Sequence, residues 1–245
     1  MHVISLPPPL SPRVTVKSLA EIMMLPAFDQ ERALRDQKYP RSDKGKNRVP
    51  YYQPANQALK SYVECLDVRV IELAIDEQEA KRIAAVEGDD DPPAQRVTRI
   101  EHNLRVLAAL STFPRLREVT GGRRGLTRET LVAGVSVRST PELHVIIDGE
   151  MRHVFVECAE EVNEDEARRT LELAHWLERE VGDADASIKN FEYWLLAEGR
   201  ALSVRSSRKS TVDRALRTLP ILASAWDQIA PPKARQARQA ANDGG

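Results

Sequence analysis

The chain has 245 residues, with 36 Lys plus Arg against 37 Asp plus Glu, so its formal charge is −1 and wholesale binding of polyanions through a basic excess is excluded. At 42% hydrophobic and 30% charged residues the composition is that of a folded chain with a busy surface, which excludes disorder of the whole. No stretch approaches the roughly 18 apolar residues that cross a bilayer, so no membrane role and a cytoplasmic location are expected.

In chain order, residues 1–14 carry Pro7, Pro8, Pro9 and Pro12 and read as an extended lead-in. From 15 to 113 the apolar residues recur at spacings of three and four, as in Leu19, Ile22 and Met23, then Leu59, Tyr62 and Val63, then Ile100, Leu104 and Leu107. That spacing predicts helices and no strand. Residues 39–54, with three prolines and a glycine, and 87–93, with stacked acids before two prolines, read as surface loops.

The period shortens to two in the region 114–230. Strands are expected over 131–138, 143–147, 152–159, 188–196 and 201–205. Asp148-Gly149 marks a two-residue hairpin turn, because a type I′ turn needs positive φ at both positions. It sets Ile146 opposite Met151 and His144 opposite His153. Gly121-Gly122-Arg123-Arg124-Gly125 lacks the spacing of a phosphate loop and reads as a flexible turn before a strand. Asn163 with Glu166 resembles a capping box for a helix that Gly182 stops, and a last helix starts near Ser210 with Pro220 expected to bend it. Residues 231–245 read as a solvated tail. The order αααβββαββα describes an α+β fold, a helical half followed by a mixed sheet flanked by helices. Cys65 and Cys158, without CxxC spacing, read as small buried thiols.

The hairpin register places Glu142, His144, His153 and Glu157 on one sheet face, a set of donors able to bind a divalent metal. The plain alternative is a wetted face with ordinary exterior polar residues. Arg123, Arg124, Arg208, Lys209 and Arg214 represent basic clusters able to contact nucleic-acid phosphates if they fold onto one surface, and otherwise balance the acids. The aromatics Phe191, Tyr193 and Trp194 read as core. No serine has a histidine or acid at a spacing that suggests a nucleophile.

The strand-strand-strand-helix-strand order, with Pro141-Glu142 opening one strand and Glu157 on the next, resembles the PD-(D/E)XK restriction-endonuclease-like superfamily. The likeness covers residues 101–196, and the whole chain resembles uncharacterised bacterial proteins with this plan. The resemblance implies Glu142 and Glu157 as magnesium-holding acids, with Glu101 as a further ligand. It puts Ala159 where the family has its lysine. With the lysine absent, the expectation is a non-catalytic protein that uses a degenerate core to bind a protein or nucleic-acid partner and needs no cofactor. A metal-dependent nuclease in which Lys189 serves as a migrated lysine, with magnesium as its cofactor, and a regulatory or assembly subunit are the alternatives.

Overall fold

The computed structural model describes residues 11–38, 52–87, 94–159 and 161–229. It has an α+β architecture in which helices cover both faces of a five-stranded mixed sheet. The lead-in before residue 11, most of the first loop, the acidic loop after 87 and the C-terminal tail fall outside the described residues.

The first element is a short strand, β1 (Arg13–Thr15), followed by helices α1 (Val16–Ile22), α2 (Ala27–Lys38), α3 (Gln53–Cys65), α4 (Arg69–Glu87) and α5 (Ala94–Thr112). Helix thus begins one residue later than the apolar spacing implies. β1 runs parallel to a later strand and takes the end of the expected lead-in with it. Gln53 and Pro54, expected in the first loop, open α3, where proline is favoured because the first N–H groups of a helix lack partners anyway.

The sheet half contains β2 (Val119–Arg124), β3 (Arg128–Val132), β4 (Val135–Ser139), β5 (Leu143–Ile147), β6 (Glu150–Glu157), α6 (Glu164–Val181), β7 (Phe191–Leu195), β8 (Arg200–Ser203) and α7 (Lys209–Gln228). The large sheet has the order β2-β5-β6-β7-β8, and β1, β4 and β3 form a separate three-stranded sheet. β5 and β6 are antiparallel with His144 opposite His153 and Ile146 opposite Met151, the register that the Asp148-Gly149 turn dictates. Asp148 and Gly149 have φ of 53° and 78°, as such a turn requires. β6 and β7 are parallel, joined through α6.

Three strand expectations change. The Gly121-Gly122 turn is part of β2, antiparallel to β5. The single strand expected over 131–138 is a hairpin, because Ala133 and Gly134 adopt φ of 49° and 81° between β3 and β4. The strand expected from 188 starts at Phe191 after a 3₁₀ turn over Ile188–Asn190. α7 runs through Pro220.

The alternation of β5, β6 and β7 divides the core in two. Leu143, Val145, Val154, Val156, Trp194 and Leu196 meet α3 and α5 through Leu59, Val63, Leu107 and Leu110. On the other face Phe155, Phe191, Tyr193 and Leu195 meet Leu19 of α1, Leu171 and Ala174 of α6, and Leu219 and Trp226 of α7. The face expected to be wet is therefore largely covered, with His144 buried and Glu142, His153 and Glu157 half-buried. Cys158 is buried in the first core, whereas Cys65 is exposed at the end of α3. No helix among the described residues is long and apolar enough to cross a membrane.

Candidate functional site: a lysine on two carboxylates

The site forms where the start of α1 meets the end of β6. Thr15 caps α1 by accepting a hydrogen bond from the Ser18 N–H at 3.1 Å, which fixes the first turn and the Lys17 side chain it carries. Leu19, Ala20 and Ile22 hold the helix against the core. Lys17 Nζ donates to the Val156 carbonyl at 3.1 Å and to Glu142 Oε1 at 3.4 Å, and stands over the Tyr193 ring at 5.1 Å from its centroid.

Glu142, one residue before β5, is held from its other oxygen: the Val156 N–H donates to Oε2 at 3.0 Å. The carboxylate of Glu157 accepts from the N–H groups of Cys158 at 3.1 Å and Ala159 at 3.4 Å. Burial alone would lower the Lys17 pKa, but Glu142, Tyr193 and Glu157 more than offset it, and the ammonium is held above its ordinary range. Tyr193 is pushed up to about 12 by burial, with the Lys17 charge pulling the other way. Burial likewise raises the Cys158 thiol to about 12, helped by Glu157, so it is a packed group and not an activated nucleophile. Glu166, in the first turn of α6, is raised by burial and by the charges of Glu21 and Glu157. Three acids from α1, β6 and α6 thus share one field with Lys17.

The other expected site residues are distributed differently. Lys189 is exposed in the turn before β7. Leu195 is the residue paired with Glu157, and β7 begins four positions earlier at Phe191, about 13 Å back along the strand, with Lys189 beyond it in the 3₁₀ turn. Lys189 is therefore not the lysine of this site. Glu101 is exposed on α5, which packs on the opposite face of the sheet.

The four-residue metal set is also divided. His144 and His153 do meet, with ring centroids 4.6 Å apart, and His153 stacks on Phe191 at 4.5 Å. Glu157, however, is four residues beyond His153, about 13 Å along an extended strand. His144 is buried and His153 half-buried, on the face against which α6 packs. His144 is pushed down to about 4 by burial, with His153 and Arg123 adding to the effect, and His153 is lowered by burial. Among the described residues no group of three or more His, Cys, Asp or Glu side chains is gathered to hold a metal ion.

Several of the arginines pair with carboxylates of this chain, one at the surface and others buried. Arg124 pairs with Glu64 at 3.1 Å, Arg128 with Glu178 at 3.0 Å, and Arg208 with the fully buried Glu172 at 2.9 Å. Arg115 grips Glu192 through two nitrogens. Arg123 lies on β2 opposite His144, and Lys209 and Arg214 belong to the first turns of α7. Arg123 and Arg124 occupy an edge strand of the large sheet, whereas α7 packs on α2, α6 and β4.

The arrangement juxtaposes a firmly protonated ammonium with two carboxylates and a main-chain carbonyl, all hard oxygen donors at one edge of the core. Sequence reasoning missed Lys17 and Tyr193. The only local sign is that Lys17 and Glu21, four apart, share one side of a helix whose other side is apolar. No family model matches the chain, and no curated protein does so.

Proposed function

We propose that the chain is a phosphodiester hydrolase acting on nucleic acid, with Glu142, Glu157 and Lys17 as its working residues on a restriction-endonuclease-like core. The observation that carries this reading is the position of Lys17, 3.4 Å from Glu142 and electrostatically coupled to Glu157. Ala159 left the sequence motif without a cation. A lysine reaching the same acids from α1 supplies the missing charge. The antiparallel run of β2, β5 and β6, interrupted in the chain by β3 and β4 and followed by α6 and the parallel β7, is in keeping with the resemblance.

The donor set suits magnesium, which is held by one or two carboxylates together with substrate phosphates and water, and does not require a closed protein cage. Glu142 and Glu157 would hold it, and when bound it supplies Lewis acidity and a more acidic water. The protein's own contribution begins with orientation. The Val156 N–H fixes one oxygen of Glu142, and the Cys158 and Ala159 N–H groups fix Glu157. Lys17, held protonated, serves as a hydrogen-bond donor and fixed positive charge toward a phosphate whose negative charge grows in the transition state. It is not the base, since its pKa is raised. Tyr193 carries the lysine stem and keeps one side of the ammonium dry.

The second reading is a non-catalytic interaction protein in which the Lys17 ammonium permanently takes the place of the ion. It is favoured by the engagement of both Glu142 oxygens. Cleavage assays with single- and double-stranded DNA and RNA in magnesium or manganese separate the two. The hydrolase reading expects cleavage that is lost in Glu157→Ala, falls at least 100-fold in Lys17→Met, and is unchanged in Lys189→Ala. No cleavage of any substrate by the unaltered chain leaves the interaction reading.

A further inference from the structure

Lys17 does more at the two acids than supply charge. Its side chain is 31% exposed and that of Glu142 28%, so the pair lies at the rim of the core with one side open to water. The backbone that carries Lys17 is held by the Thr15 cap and by Leu19 and Ala20 in the core. The ammonium is not fixed in the same way, because it sits at the end of a flexible four-carbon stem. It can leave its acceptors without any movement of α1.

Val156 sets the ammonium and the Glu142 carboxylate against each other. Its N–H donates to Glu142 Oε2 at 3.0 Å, and its carbonyl accepts from Lys17 Nζ at 3.1 Å. The oxygen of Glu142 that the main chain leaves open is Oε1, and that is the one Lys17 takes, at 3.4 Å. Glu157 accepts from the Cys158 and Ala159 N–H groups through Oε1 alone, and among the described residues its Oε2 has no hydrogen bond. A divalent cation and an ammonium seek the same lone pairs on hard oxygens, and like charges a few ångströms apart repel strongly where water is partly excluded. At Glu142 Oε1 the two exclude each other.

We propose that Lys17 is a resident competitor for the divalent cation: it occupies Glu142 Oε1 until the ammonium is drawn off, and so sets the metal affinity of the site below what its two acids would otherwise give. This rests on the reading of Glu142 and Glu157 as metal-holding acids, and it adds a role for the lysine before any chemistry. The two roles of Lys17 pull in opposite directions. Removing its charge should impair cleavage and improve metal binding together. A variant that merely distorts the site would weaken both.

The test is Mn²⁺ binding to the full chain without nucleic acid, read by electron paramagnetic resonance of the free ion and by calorimetry. Lys17→Met should bind Mn²⁺ at least tenfold more tightly than the unaltered chain. Lys17→Gln, which keeps a donor for the Val156 carbonyl but not the charge, should show the same gain and covers a loss of folding in Lys17→Met. Lys17→Arg, which keeps a cation on the acids, should stay within threefold of the unaltered chain. Adding Glu142→Ala to Lys17→Met should abolish the gain, which places the ion at these acids. Arg169 controls for the general field: it is a cation of the same region that donates to the Ala20 carbonyl at 3.4 Å and to neither acid, so Arg169→Met should change the affinity less than threefold. Unchanged or weaker binding in both Lys17→Met and Lys17→Gln, a gain that survives Glu142→Ala, or an equal gain in Arg169→Met would each overturn the proposal. Cleavage is scored separately. A chain that cleaves nothing while Lys17→Met binds Mn²⁺ more tightly would keep the competitor and drop the hydrolase reading, and a cleaving chain with no gain in either Lys17 variant would do the reverse.

Discussion

The buried His144, packed edge-on against the half-buried His153, makes the fold sensitive to mild acid, by an amount the structure allows to be worked out. His144 is 4% exposed, and among the described residues its Nε2 has no hydrogen-bond partner. It is faced by Arg123 from β2, Arg128 from β3, His153 from β6 and Glu178 from α6, and burial leads the causes that bring its pKa from 6.5 to about 4. A histidine whose folded pKa is depressed contributes stability in full above its unfolded pKa, and that contribution is lost as the pH falls toward the folded value. Between pH 8 and pH 5 the unfolded chain takes up the proton and the folded chain largely does not. For a shift of this size the loss is about 2 kcal/mol for this one ring, or on the order of 4–8 °C in melting temperature for a chain of this length. His153 and His175 are lowered in the same direction, so the whole protein should lose more. Glu172 and Glu178, whose pKa values are lowered, lose their contribution as the pH falls from about the ordinary value of 4.5 toward their lowered ones, mostly below this window. Urea unfolding at pH 8, 6.5 and 5 measures the effect. His144→Leu, which gives up no hydrogen bond at Nε2, should flatten the profile by about 2 kcal/mol while keeping the protein folded at pH 8. A parallel decline in variant and unaltered chain would refute the reasoning.

Two further outcomes follow from particular contacts. A Cβ on Gly122 would lie 2.4 Å from Val63 Cγ1 and 2.7 Å from the His144 carbonyl oxygen, so Gly122→Ala should cost about 1–3 kcal/mol in chemical denaturation. Gly121→Ala, whose Cβ meets only Ile146 Cδ1 at 3.6 Å, should stay well below that cost. Glu192, 2% exposed, accepts from Arg115 and from the Trp194 indole N–H at 2.9 Å. Glu192→Ala should therefore cost about 3–5 kcal/mol, read by urea titration of tryptophan fluorescence, and Glu192→Gln, which keeps an acceptor for the indole, distinctly less.

Much of the sheet is legible locally. Asp148-Gly149 fixes the turn, the turn fixes the register, and the register puts His144 against His153. Asn163 is legible for the same reason: its side chain accepts from the N–H groups of Asp165 and Glu166, a cap written into four consecutive residues. β2 is not, because Gly121-Gly122 has the local chemistry of a turn. Gly122 is there for the approach of Val63 on α3, which is set by tertiary packing. The β3–β4 hairpin is hidden by Ala133, a residue that gives no warning of positive φ. Alternation also sorted His144 and His153 to one face correctly, yet period two says nothing about what lies over a face, and α6 covers this one.

Lys17 shows the same limit at the point where it matters for chemistry. A motif read along one strand can place a lysine only two residues from Glu157, and at that position the chain has a methyl group. The distance that counts is through space, and 125 residues separate Lys17 from Glu142 in the chain. β1 bridges that gap, because it pairs in parallel with β4 and thereby anchors the start of α1 beside the strand ends. Under the hydrolase reading the cation comes from a capped helix and not from the strand, which has a testable consequence. Loosening α1 should weaken the site without touching any of its charges. Replacing the cap, Thr15→Ala, removes the acceptor of the Ser18 N–H and should cost about 1 kcal/mol of stability. If Lys17 is the working cation, the same change should reduce cleavage severalfold at temperatures where the protein is fully folded, and leave the Glu142 and Glu157 hydrogen bonds in place. Undiminished cleavage in Thr15→Ala together with Lys17→Met would mean that the acids work without this lysine, and the cation would have to be sought elsewhere on the surface.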